Sequence, residues 1–141
     1  MHVSTILRTK GSNVFTISPD TTLADAAKTM VNDKCGSLVV VDAGQVVGII
    51  TERDILRACA SEPRHLSEIT VSKHMTRRMI VGAPGDDINE IMGLMTDERI
   101  RHLPVMDEEK LAGIISIGDV VKAQFGQLSI ENHYLKHYIQ S

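Results

Sequence analysis

Gly48-Ile49-Ile50-Thr51-Glu52-Arg53-Asp54 returns 65 positions later as Gly113-Ile114-Ile115-Ser116-Ile117-Gly118-Asp119. In both copies an apolar run ends in a hydroxyl residue, and an aspartate follows three positions on. The match extends backwards at the same offset: Asp42 falls on Asp107, Val40 on Val105, Leu38 on Leu103, Met30 on Met95 and Pro19 on Pro84. Residues 14–57 and 79–122 align without a gap, with nine identities and conservative pairs such as Lys34 with Arg99 and Asp25 with Glu90. An internal repeat of this length is a structural unit used twice.

Each copy carries the same order of patterns. A short β-prone run (Val14 to Ile17, or Met79 to Val81) leads into a turn containing Pro19 or Pro84. Leu23, Ala26, Ala27, Met30 and Val31 then recur at helical spacing, as do Ile88, Ile91, Met92 and Met95. Thr22 with Asp25, and Asp87 with Glu90, have capping-box spacing at the two helix starts. Ser37 to Val41 and Val46 to Ile50 flank Asp42-Ala43-Gly44-Gln45 as a β-hairpin, and His102 to Met106 with Leu111 to Ile115 repeat it. A last helix begins at Thr51 or at Ser116. The expected fold is α+β: two β-α-β-β-α repeats, each too small to bury its own sheet. The expected division is residues 1–70, holding the first repeat with an N-terminal segment and linker, and 71–141, holding the second with a C-terminal helix. Val71 to Met75 reads as a short helical turn. From Leu128 to Ile139 an amphipathic helix follows, packed on its own domain or forming a dimer contact.

The chain has 141 residues and 15.5 kDa, with 43% hydrophobic and 23% charged residues, enough for an ordinary core and surface. Net charge is −3, the pI is about 6.0 and aromatics are 3%, so neither a basic field nor stacking rings favour nucleic acid. Cys35 and Cys59 stand apart, which fits free thiols in a reducing cytoplasm rather than a disulfide or zinc framework. No apolar run approaches a signal peptide or membrane span. His133 and His137 are four apart on the last helix, but no third ligand follows at a motif spacing, and they read as a solvated face.

The hydroxyl and aspartate at 51/54 and 116/119 have two compatible uses. They can form capping boxes. A helix start also gathers N–H groups and positive dipole for a phosphate, and an acidic residue can take both hydroxyls of a ribose.

The doubled β-α-β-β-α unit ending in Gly-Ile-Ile-Thr/Ser-x-x-Asp, with Ile100-Arg101-His102-Leu103-Pro104-Val105, resembles the cystathionine β-synthase (CBS) domain. Two in tandem resemble the stand-alone CBS pair, or Bateman module. The resemblance implies a pseudo-twofold pair of repeats with clefts between them, and a regulatory module that takes AMP, ADP, ATP, NAD(H) or S-adenosylmethionine. By the same resemblance Asp54 and Asp119 hold ribose, with Thr51 and Ser116 near phosphate. Adenine is expected against Thr16, Ile17 and Pro19 with Gly36 and Ser37, or against Val81 and Ala83 with Arg101, His102 and Pro104. Arg53, Arg101, Lys34 and Arg99 are candidate phosphate contacts, since a guanidinium donates two bonds at once. Lys34 and Arg99 also suit a helix C-terminus.

Three function classes follow. The first is a non-enzymatic nucleotide sensor that signals to an effector protein by changing repeat or dimer arrangement, as a cytoplasmic homodimer. The second is an oligomerisation module without nucleotide. The third is a small nucleotide-processing enzyme, for which the sequence offers no catalytic triad spacing, P-loop or metal motif.

Overall fold

In the computed structural model, which describes residues 1–11 and 13–140, the elements in chain order are α1 (Val3–Lys10), β1 (Thr16–Ile17), α2 (Leu23–Asp33), β2 (Ser37–Asp42), β3 (Gln45–Thr51), α3 (Glu52–Ser61), a 3₁₀ turn (Leu66–Glu68), α4 (Val71–His74), α5 (Ile88–Asp97), β4 (His102–Asp107), β5 (Lys110–Ser116) and α6 (Ile117–Gln140). The fold is α+β with two small sheets. It forms two compact units, Asn13–Ile80 and a second that joins residues 1–11 to 81–140.

In the unit Asn13–Ile80, α2 starts where Thr22 Oγ1 accepts from the Asp25 N–H at 3.1 Å. Leu23, Ala26 and Met30 face inward and Val31, expected on that face, is 77% exposed. The helix stops at Lys34, whose φ of 53° turns the chain left-handed and lets the Cys35 N–H reach the Met30 carbonyl. β2 lies between β1, parallel to it, and β3, antiparallel to it. Ala43 and Gly44 both have positive φ, the twist a two-residue hairpin needs. Leu38, Val40, Ile50, Leu23, Met30 and Ala58 form one core with Ile69, Val71 and Met75. Each fully buried Leu or Ile contributes roughly 1.5–3 kcal/mol.

The repeat survives as geometry. The left-handed residues Lys34 and Ala43 recur as Arg99 and Glu108 at the same offset of 65. The bulge between Val40 and Val41 recurs between Val105 and Met106. One difference has a single-atom cause. The Val39 N–H donates to the Phe15 carbonyl and holds β1. Its counterpart Pro104 has no N–H, so the expected strand Met79 to Val81 does not form, and an isolated parallel bridge between Gly82 and Val105 remains. In the first copy the expected Val14 to Ile17 run is strand only at Thr16–Ile17.

The units are also not divided at 70/71. The segment before each repeat docks in the unit of the other repeat. Val71 N–H donates to the Thr21 carbonyl, Ser72 to Pro19, and Leu23 to Ile69. In the second unit Val3 donates to Asp86, Ser4 to Pro84, and Ile88 to Met1. Val3 and Val71 are both fully buried. Residues 1–7 are therefore the counterparts of 69–75, at an offset of 68 rather than 65.

The C-terminal region differs from expectation as well. No break separates the helix starting after Ser116 from the expected helix at Leu128. α6 runs as one 24-residue helix through Gly126, and its second half does not pack back on its unit. Phe125, Leu128, Ile130, Tyr134, Leu135, Tyr138 and Ile139 are all exposed.

Candidate functional site

Asp54 is the buried carboxylate of the Asn13–Ile80 unit, 7% exposed at the first turn of α3. Its Oδ2 accepts from the Thr51 N–H at 3.0 Å and the Thr51 hydroxyl at 3.1 Å, and the Asp54 N–H donates back to Thr51 Oγ1 at 3.3 Å. The capping box is formed. Thr76 Oγ1 lies 3.4 Å from both carboxylate oxygens, a long contact. A carboxylate offers about four lone-pair sites, so Oδ1 retains acceptor capacity. Thr51 stands opposite Ser37 across the ladder, and the Glu52 N–H donates to the Gly36 carbonyl at 3.1 Å. The first and third N–H groups of α3 thus have internal partners. A phosphate at this helix start competes with the Gly36 carbonyl and the Thr51 hydroxyl.

Asp119 sits in the same frame but has a different neighbour. Ser116 N–H donates to its Oδ2 at 2.8 Å, and the Asp119 N–H donates to Ser116 Oγ at 3.1 Å. Lys10 Nζ, at the end of α1, donates to the same Oδ2 at 2.6 Å and to the Ile114 carbonyl at 2.9 Å. Burial pushes the Asp119 carboxyl up. The bonds from Lys10 and Ser116 outweigh it and hold the group below the ordinary carboxylate value. The two aspartates are equivalent in sequence and unlike in charge environment.

The ladder brings Ser37, Thr51 and Asp54 together, with Gly36 tied to the start of α3. It repeats this with His102 opposite Ser116 and the Arg101 carbonyl accepting from the Ile117 N–H at 2.8 Å. Thr16 and Ile17 pair with Val39 and Val40, two and three positions along β2 from Ser37. Pro19 is tied instead to α4, its carbonyl accepting from Ser72. Pro104 is buried, Val81 and Ala83 are exposed beside the Gly82 bridge, and Arg53, Arg99 and Arg101 are exposed. Lys34 and Gly36 line an open groove of about 450 Å³ with Ala27, Met30, Val31, Cys35, Glu52 and Ile55. Burial pushes the Cys35 thiol up, so it is a poor nucleophile at neutral pH. His133 and His137 are exposed on α6, and no group of three metal-binding side chains converges among the described residues.

A family model for the CBS domain matches residues 3–61 and again 66–126. The chain belongs to the CBS domain family. The first match takes in residues 3–7 and the second residues 69–75, the segments that dock across. The CBS domain-containing protein CBSX3, mitochondrial, of Arabidopsis thaliana is 37% identical over 147 residues, covering 98% of this chain and 71% of that protein. The crystal structure of the CBS-domain-containing protein ATU1752 from Agrobacterium tumefaciens matches with a TM-score of 0.85 and 42% identity, over 88% of this chain and 99% of that one. The CBS domain pair of protein MJ0100, solved in complex with 5′-methylthioadenosine and S-adenosyl-L-methionine, matches with a TM-score of 0.80 and 26% identity, over 90% and 98%. This chain is a pair of CBS domains, and such pairs are regulatory ligand-binding modules. No helix among the described residues is long and apolar enough to cross a membrane.

Two residues of the CBS frame escaped the sequence reading, Thr76 and Lys10. Both lie in the exchanged segments, outside the gap-free alignment. The signal was present in Val3 and Val71 and in Leu7 and Met75, but only at a second offset.

Proposed function

We propose that this CBS pair is a non-catalytic sensor of an adenosyl ligand, with Asp54 accepting both hydroxyls of the ribose. The observation that carries it is the buried Asp54, already held in place by Thr51 and Thr76, with spare acceptor capacity on Oδ1. The adenosyl compounds bound by the MJ0100 pair support the ligand class. Ser37, Gly36, Thr16 and Ile17 are the proposed neighbours of the ligand in this unit, with Arg53 and Lys34 toward phosphate. Asp119, Ser116, His102 and Arg101 are their counterparts, and there Lys10 already bonds Oδ2 of Asp119.

AMP, ADP, ATP and NAD(H) are the proposed ligands beside S-adenosylmethionine. The ligand acts by binding one state of the chain more tightly than another, since only differential affinity moves such a balance. An effector protein reads that state, and the chain works as a homodimer. Free Cys35 and Cys59 suit a reducing compartment such as the cytoplasm.

A thermal-shift panel with AMP, ADP, ATP, NAD⁺, NADH and S-adenosylmethionine tests the reading. A ligand at 100 times its Kd adds about 2.7 kcal/mol, and at least one should raise the melting temperature. No shift with any of the six at millimolar concentration contradicts the proposal and leaves an oligomerisation module.

A further inference from the structure

The exposed half of α6 carries a pattern that the nucleotide reading does not use. Val121, Phe125, Leu128, Asn132, Leu135 and Ile139 follow one another at steps of four, three, four, three and four. That is an unbroken heptad seam, with Phe125, Asn132 and Ile139 at position a and Val121, Leu128 and Leu135 at d. All six are exposed in the single chain, the apolar ones from 50% at Val121 to 79% at Ile139. The seam spans about 27 Å at 1.5 Å per residue. Leucine at two of the three d positions, Ile139 at a and a single asparagine at a fit a two-stranded coiled coil in which the buried amide sets register and strand number.

The flanking charges say what covers it. Position g holds Gln124, Glu131 and Tyr138, and position e holds Lys122, Ser129 and Lys136. In a parallel pair g of one helix meets the following e of the other, which sets Glu131 against Lys136 twice. In an antiparallel pair g meets g and e meets e, and no opposite charges meet. The helix is therefore self-complementary in one orientation.

We propose that α6 forms a parallel two-stranded coiled coil with α6 of a second copy of this chain, with Asn132 facing Asn132 and Glu131 bridging to Lys136 of the second copy. This rests on the homodimer proposed above and gives it a surface, a register and a direction.

Single cysteines test it in the full chain with Cys35 and Cys59 changed to serine. If that background folds poorly, the native cysteines are kept and the disulfides mapped by mass spectrometry. Under mild oxidation, Leu128→Cys and Leu135→Cys should each link to themselves in most of the protein, and Ile130→Cys, off the seam, should link at least tenfold less. Glu131→Lys should shift the sedimentation profile toward monomer, and adding Lys136→Glu should restore the dimer. A chain that stays dimeric while Leu135→Cys links no better than Ile130→Cys overturns the seam and leaves the homodimer standing. A cross-link of Leu135→Cys to Phe125→Cys in place of itself overturns the orientation. A monomeric wild-type chain overturns both.

Discussion

Replacing Gly48 with alanine sets a methyl carbon 2.8 Å from the backbone carbonyl oxygen of Thr76 and 3.1 Å from Met75 Sδ. Thr76 cannot withdraw freely, because it exchanges two backbone bonds with Ile49, at 3.0 and 2.8 Å. Overpacking of a tight site costs about 1–3 kcal/mol, and loosening those two bonds adds about 1 kcal/mol each. Gly48→Ala should therefore lose roughly 3–5 kcal/mol on those two costs together. Gly113, its repeat partner, is the control. There the added carbon falls 2.7 Å from Leu7 Cδ2, the free end of a half-buried side chain that can rotate. A shifted rotamer costs about 0.5–1.5 kcal/mol. Urea denaturation of the two variants reads the difference as a lower midpoint for Gly48→Ala. Equal losses, or a larger one at Gly113, would refute the claim that the two exchanged segments meet the repeats in different ways.

Lys10→Met should cost at most about 1 kcal/mol at neutral pH, because the pair with Asp119 is a quarter to a third exposed and water screens it. The Asp119 carboxyl is lowered in the folded chain, so this stability is present above the unfolded value of about 4 and is lost as pH falls through the lower folded value. Melting curves of wild type and variant should converge below that range, and a gap that widens in acid contradicts the pair. Gly93→Ala and Gly126→Ala should each add about 0.5–1 kcal/mol, since both sit in helices with ordinary φ and open space at the added carbon. A loss of circular-dichroism helicity in Gly126→Ala would count against a continuous α6.

The repeat was legible because it is written in side chains. Gly48 and Gly113, the β-branched hairpin strands, and Thr51 with Asp54 each demand one local geometry. What stayed hidden lies where tertiary contact decides. Pro104 reads in sequence as part of a β-run, yet its missing N–H removes the strand beside it. Val31 keeps helical spacing with Leu23 and Ala27 but falls outside the core. Lys10 and Thr76 reach the two aspartates only because their segments exchange units, and no local pattern announces an exchange. For Asp54 and Asp119, the capping role was readable from spacing, whereas the lysine that separates them was not.

The most direct measurement is calorimetric titration of wild type and Asp54→Asn with the ribonucleotide that gives the largest thermal shift and with its 2′-deoxy form. Hydrogen bonds to a charged group contribute about 1.5–3 kcal/mol, so wild type should favour the ribonucleotide by roughly ten- to over a hundredfold, at 1.4 kcal/mol per decade. In Asp54→Asn, which can still accept from Thr51, the fold should persist, ribonucleotide affinity should fall, and the preference should shrink toward unity. If Asp54→Asn lowers the melting temperature but leaves ribonucleotide affinity unchanged, Asp54 is a helix cap alone and the ribose-binding account is wrong.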